Sequence, residues 1–198
     1  MRWTSATADL LLELFLSEYT ILEGFAEKAL GVKRRIARRL FHVSGLFLYP
    51  LSQAGGPFFW WGLLFGVSVL EFLRLSGRFS RFFDYFQPLM RPEEKRRPSG
   101  TFWYIWGVGL SFLLLPERAA FSGLLVLALA DGLAGLFERG RLHSLVFFGV
   151  SLGVAHFLKG TFSWELILKA GLWTLVEGLP RANDNFTLPL AVGLTWEL

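Results

Sequence analysis

Residues 122–137 read SGLLVLALADGLAGLF, an apolar run with one aspartate, Asp131, near its centre. Read as a helix, this run belongs in a lipid-embedded bundle. A charge at that depth costs roughly 2.5–3.5 kcal/mol on insertion scales, so an aspartate there needs either a partner or a task. Ala128, Gly132, Ala134 and Gly135 surround it. Residues this small let a second helix approach closely or let the helix unwind locally. Glu138, seven residues on, falls on about the same helical face. The bland alternative is an aspartate neutralised by an internal arginine.

The rest of the chain has the same texture. Of its 198 residues, 53% are hydrophobic, 17% aromatic and only 18% charged, with a mean hydropathy of +0.45. Soluble domains carry about 25% charged residues. The apolar residues come in blocks, at about 40–55, 57–75, 101–116, 119–137, 144–158, 163–179 and 186–197. They predict an all-α integral membrane protein with about seven apolar helical segments. A full span takes about 20 residues, so the shorter blocks predict tilted, broken or re-entrant helices. Ahead of them, residues 1–30 predict a separate amphipathic helix. At about 100° per residue, Asp9, Glu13, Glu23 and Glu27 share one face, and Leu11, Leu14, Phe15, Ile21, Leu22 and Phe25 the other. Such a helix lies at the membrane interface or along the bundle. Residues 79–90 read as a second, short interfacial piece. Residues 31–198 then form the polytopic membrane domain that carries the chemistry.

The chain has no Cys, which excludes a disulfide framework, a thiol nucleophile and a Cys-based zinc site. Its histidines, at 42, 143 and 156, lack metal-ligand spacing. The acidic N-terminus does not fit a cleaved signal peptide. Neither a Walker-type phosphate loop nor a serine nucleophile elbow is present. With the basic cluster at 33–39 placed in the cytoplasm, alternation brings 74–97, 139–141 and 180–185 to the same side. Fifteen Lys and Arg then lie there, against Arg118 and Lys159 opposite. This satisfies the positive-inside rule. Topology thus accounts for the basic loops, and nucleic acid is not an expected partner. Nothing in the sequence specifies an oligomeric state.

Polar constellations sit at the cytoplasmic ends of the apolar blocks. Arg38 and Arg39 precede His42 by one helical turn and can share its face; an ordinary basic membrane boundary would look the same. Glu71 and Arg74 are one turn apart and can form a local ion pair. Arg91, Glu94 and Arg96 lead through Ser99 and Gly100 into a helix, where free amides favour an anion; a plain solvated loop is the alternative. Glu177 and then Asn183, Asp184, Asn185 and Thr187 flank the last apolar block, where a simple turn is the alternative.

In this order the motifs resemble those of the CTP-dependent lipid-alcohol kinases: dolichol kinase, phytol kinase and the CTP-dependent diacylglycerol kinase. More distantly they resemble the phosphatidate cytidylyltransferases. The resemblance covers roughly residues 36–190. It rests on RRLFH at 38–42 with Gly45, LEFLR at 70–74, the Arg91-to-Glu94 pair with SGT at 99–101, ADGLAGLF at 130–137 and NDNFTLPL at 183–190. It implies transfer of the terminal phosphoryl group of CTP to a long-chain isoprenoid or lipid alcohol at the cytoplasmic face of the membrane. Mg²⁺ would be held by Asp131, Asp184 and Glu177, because Mg²⁺ takes carboxylate oxygens together with phosphates. Asp131, Asp184 and His42 would be catalytic, with His42 or Asp184 as base. Arg38, Arg39, Glu71, Arg74, Arg91, Glu94, Arg96, Ser99, Gly100, Gly135, Asn183, Asn185 and Thr187 would bind or frame the substrates. One part departs from the pattern. Where the family has a Lys-Ser-x-Glu-Gly-Ser segment, this chain has His143-Ser144-Leu145-Val146-Phe147-Phe148. The substitutes for gripping phosphate are Arg139, Arg141, His143 and Ser144. Cytidylyl transfer to a lipid phosphate, and a lipid-binding or transport homologue without activity, are the competing readings.

Overall fold

The computed structural model describes residues 36–77, 94, 96–179 and 183–197, and every regular element among them is helical. The helices expected at 1–30 and 79–90, together with Arg91, lie outside the described residues. The chain divides into two compact units, Met1–Ala37 and Arg38–Leu198. The elements and side chains that follow belong to the second.

Helical residues 38–44 pass through a 3-10 turn, Gly45–Phe47, into helix α1, Leu48–Leu75. Then come α2, Gly100–Leu114, and α3, Glu117–Leu125, which continues as a π turn over Val126–Asp131 and a last turn, Gly132–Ala134. Helices α4, Arg141–Lys159, α5, Trp164–Glu177, and α6, Asp184–Trp196, complete the bundle. Local chemistry sets several of the ends. Ser99 Oγ accepts the Phe102 amide at 3.2 Å and Ser163 Oγ the Leu166 amide at 3.4 Å, each occupying a donor at its helix start. Gly160, at φ 73°, closes α4 in the left-handed conformation that glycine adopts without a Cβ penalty.

Two stretches, Ile36–Leu75 and Arg141–Lys159, are long and apolar enough to cross a membrane. The seven apolar blocks of the sequence fall on helices, but among the described residues only these two stretches meet the length and composition of a span. The first is itself folded back. Gly56 sits at φ 54°, ψ −149°, between Gly55 and Pro57, and interrupts the helix. Packing against α2 shows the direction on each side. Going down the first limb, the His42 ring meets Tyr104, the Tyr49 ring meets Phe112, and Gln53 reaches Glu117. After Gly56 the order inverts. Trp60 stacks on Phe112, Leu64 lies against Gly109, Ser68 accepts from the Trp106 indole, and Glu71 meets Ser99. The stretch therefore forms two antiparallel limbs, residues 38–55 and 57–75, each about 27 Å long at 1.5 Å per residue.

Helix α6 lies at the centre, pressed by α2 on one side and α3 on the other, and glycines set how close they come. A Cβ on Gly107 would lie 2.6 Å from the Asn185 carbonyl oxygen, and one on Gly123 2.5 Å from that of Pro189. Gly193 meets Leu115 and the Ala119 backbone in the same way. Among membrane helices, small residues at the interface gain van der Waals contact where the hydrophobic effect between helices is weak. The apolar core gathers around Leu124, Leu127, Phe147, Trp173 and Leu188. Outward faces are apolar as well: Phe58 is 86% exposed, Phe157 83% and Trp164 81%. Water-soluble proteins rarely leave apolar surface this extensive uncovered.

Candidate functional site

Three carboxylates from three separate segments meet at one end of the bundle. Asp131 closes the π turn of α3, Glu177 is the last residue of α5 and Asp184 the first of α6. Each offers an oxygen, and these oxygens all lie within 4.8 Å of one another. Asp131 and Glu177 are buried and Asp184 is half-buried. A π turn widens the helix by one residue per turn and occurs mostly at functional sites. Here it ends on Asp131.

Each carboxylate also has a basic partner. Arg39 Nη1 lies 2.9 Å from Asp131 Oδ2 and donates to the Asp131 carbonyl oxygen at 3.2 Å. Its guanidinium lies over Gly135, where a Cβ would overlap it. This gives Gly135 a purpose that its sequence context only hinted at. His42 Nδ1 is 3.5 Å from the same Oδ2, with the ring edge-on to Tyr104, whose hydroxyl donates to the His42 carbonyl oxygen. Arg139 Nη2 is 3.1 Å from Asp184 Oδ2 and otherwise faces outward. His143 Nε2 is 3.0 Å from Glu177 Oε1, and both side chains are buried. Asp184 Oδ1 accepts the amide of Asn185 at 2.9 Å. Among the described residues, the guanidinium groups paired with these three carboxylates are those of Arg39 and Arg139. His143 Nδ1 and Asn185 Oδ1 are buried with no hydrogen-bond partner among the described residues. Hard carboxylate oxygens at this spacing fit a hard divalent cation such as Mg²⁺. Their basic neighbours would fix ligand orientation as an outer shell does.

A second polar cluster adjoins the first. Arg74 makes a bidentate pair with Glu71, at 2.9 and 2.7 Å, and donates to the carbonyl oxygens of Glu94 at 2.8 Å and Arg97 at 2.6 Å. Glu71 in turn accepts the Ser99 amide, and Glu94 accepts the Gly100 amide at 3.2 Å. The helix-start amides that the sequence offered to an external anion are thus occupied by the chain's own carboxylates. Glu71, Arg74, Glu94, Ser99 and Gly100 hold the approach to α2 in shape. Asn185 Nδ2 donates to the Gly100 carbonyl oxygen at 3.4 Å, which links this loop to the residue beside Asp184. The remaining expected residues take peripheral places. Arg96, Arg141, Ser144 and Asn183 are exposed, while Arg38 and Thr187 are half-buried. Thr187 Oγ1 donates to the Asn183 carbonyl oxygen within its own turn. Glu138 does not share the face of Asp131, because the helix ends at Ala134 and Glu138 follows an exposed turn.

Sequence reasoning missed Tyr104, which props His42 and packs over Gly45, and the glycines at 107 and 123 that let α6 approach. A Gly-rich pattern in α2 was the available signal. No protein-family model matches the chain, and neither a curated protein nor a solved structure matches it.

Proposed function

We propose that the chain is a polytopic membrane enzyme that transfers the terminal phosphoryl group of CTP to a long-chain isoprenoid or lipid alcohol, with the carboxylate cluster facing the cytoplasm. The observation that carries this reading is the convergence of Asp131, Glu177 and Asp184 beside Arg39, Arg139, His42 and His143. Nucleotide and acceptor come from the motif resemblance. The membrane setting is supported by the two span-length stretches and the apolar outer faces.

Phosphoryl transfer asks a protein for positioning and charge neutralisation more than for covalent chemistry. Asp131, Glu177 and Asp184 would hold Mg²⁺, which supplies charge neutralisation for the nucleotide phosphates. Arg39 and Arg139, already anchored on two of these carboxylates, present guanidinium groups that suit phosphate oxygens. His42, held toward Asp131, or Asp184 would take the proton of the acceptor hydroxyl. Glu71, Arg74 and Glu94 act at one remove, by fixing the loop beside Asn185.

The test is purified protein with labelled CTP, Mg²⁺, and a panel of prenols and diacylglycerol. CDP and a phosphorylated lipid are the expected products. Pyrophosphate release would mean cytidylyl transfer instead, and absence of turnover with every acceptor would mean a lipid-binding homologue. Asp184→Asn should lower kcat by a factor of about 10²–10³, the scale of losing one electrostatic contact to the transition state. Asn185→Ala should act more mildly, since it removes only neutral hydrogen bonds worth about 0.5–1.5 kcal/mol each.

A further inference from the structure

Arg39 occupies a seat shaped for its guanidinium. Nη1 donates to Asp131 Oδ2 at 2.9 Å and to the Asp131 carbonyl oxygen at 3.2 Å, so both of its hydrogens are committed to one residue. The rest of the fork lies over Gly135. The three atoms nearest to a Cβ built there are Cζ, Nη2 and Nε of Arg39, all in overlap. Gly135 has φ −71°, which any residue adopts, so the backbone does not call for glycine at this position. The guanidinium does. The seat is also open on one side. The Arg39 side chain is 18% exposed against 5% for Asp131, so the arginine can withdraw toward solvent where the aspartate cannot follow. The oxygen that Arg39 holds is one that a divalent cation would use. Mg²⁺ takes carboxylate oxygens at about 2.0–2.1 Å. An ion on Asp131 Oδ2 would then lie no more than about 5 Å from Arg39 Nη1, which stands 2.9 Å from that oxygen. A double and a single positive charge that close, at a buried site, repel far more strongly than they would in water. His42 Nδ1, 3.5 Å from the same oxygen, leaves little room to share it.

We propose that Arg39 is a built-in counter-cation, which holds Asp131 in the absence of a divalent cation and is driven off it when one binds. This exchange rests on the reading of Asp131, Glu177 and Asp184 as a cation site, while the seat itself stands on geometry. Ion and guanidinium compete for one oxygen, and the competition is reciprocal: the seated arginine weakens ion binding, and the ion empties the seat. A displaced guanidinium regains both Nη1 hydrogens for an anion, such as a phosphate group carried by the ion. Pairing of Arg39 with phosphate therefore follows cation binding instead of preceding it.

The test titrates the full chain in detergent with Mn²⁺, which accepts the same oxygen ligands as Mg²⁺, and reads free Mn²⁺ by its EPR signal. Gly135→Ala evicts the guanidinium without changing a charge, because the new Cβ meets the far end of a flexible side chain. Arg39→Gln removes the competitor outright. Both variants should bind Mn²⁺ about tenfold more tightly than wild type, a typical coupling between two sites. In the Arg39→Gln background, Gly135→Ala should add nothing, since its effect runs through Arg39. In wild type, saturating Mn²⁺ should speed the modification of Arg39 by phenylglyoxal, mapped by mass spectrometry. Arg74, locked on Glu71, should not respond. Equal or weaker Mn²⁺ binding in Arg39→Gln, or Arg39 reactivity indifferent to Mn²⁺, would overturn the exchange and leave the cation site in place. A Gly135→Ala effect that is missing, or that persists in the Arg39→Gln background, would overturn the seat. Absence of Mn²⁺ binding in every protein would remove the cation site itself, and the exchange with it.

Discussion

Asp131→Asn tests the carboxylate cluster through its charges. The oxygens of Asp131, Glu177 and Asp184 lie within 4.8 Å of one another. At an effective dielectric constant of about 20, each pair at that distance repels by about 3.5 kcal/mol, so neutralising Asp131 relieves about 7 kcal/mol. The same change removes the attraction of Arg39, whose Nη1 stands 2.9 Å from Oδ2. On the same scale that attraction is about 6 kcal/mol. The two terms nearly cancel, so without divalent cation the variant should melt within a few degrees of wild type. A bound cation breaks the balance. At a hundred times its Kd it stabilises the wild type by about 2.7 kcal/mol, about 5–10 °C in Tm for a chain of this length. Asp131→Asn should lose both that shift and turnover. The assay is thermal unfolding in detergent with and without Mg²⁺, run beside CDP release from labelled CTP. An equal cation-induced shift in both proteins, or near wild-type turnover in the variant, would refute the metal assignment.

Glu71→Gln leaves the Arg74 guanidinium buried beside a neutral amide; breaking a buried pair in this way costs about 3–5 kcal/mol, and an unchanged Tm would show that the loop at 94–100 does not depend on it. Gly107→Ala puts a methyl group 2.6 Å from the Asn185 carbonyl oxygen and should destabilise by about 1–3 kcal/mol through overpacking. Gly62→Ala, in open space, should be neutral or slightly stabilising through helix propensity, so equal effects of the two in thermal unfolding would argue against close approach of α2 and α6. In a chain without Cys, single Arg96→Cys and Asn183→Cys variants should react with an impermeant thiol reagent from one side of the membrane and Lys159→Cys from the other; labelling of Arg96→Cys and Asn183→Cys from opposite sides would separate the two polar clusters.

Helix content and the break between residues 55 and 57 are legible in the sequence because their causes are local. Apolar blocks bounded by Gly and Pro specify where a helix can run, and Gly56 followed by Pro57 marks where it cannot continue straight. That Asp131 needs a partner is legible for a similar reason: a charge within an apolar run is costly when unpaired. The bland explanation is present nonetheless. Asp131 does pair with an internal arginine, Arg39, and it does so in the company of two further carboxylates, Asp184 beside Arg139 and Glu177 beside His143.

Register, and partners distant in sequence, are not legible locally. Glu138 was expected on the face of Asp131, but the π turn alters the helical phase and the helix stops at Ala134. The amides at the start of α2 advertise an anion site, yet Glu71 and Glu94 fill it, and nothing near Ser99 in the sequence says that Glu71 will be there.

By itself the sequence determined the all-helical character, the placement of the apolar blocks and the short set of polar residues that could carry chemistry, because periodicity, turn formation and the cost of a buried charge act over a few residues. Only the tertiary structure decided that Asp131, Glu177 and Asp184 converge while Glu138 does not. Convergence depends on how closely α2 and α3 approach α6 at Gly107, Gly123 and Gly193, and that distance is set by the packing of surfaces that no single segment contains.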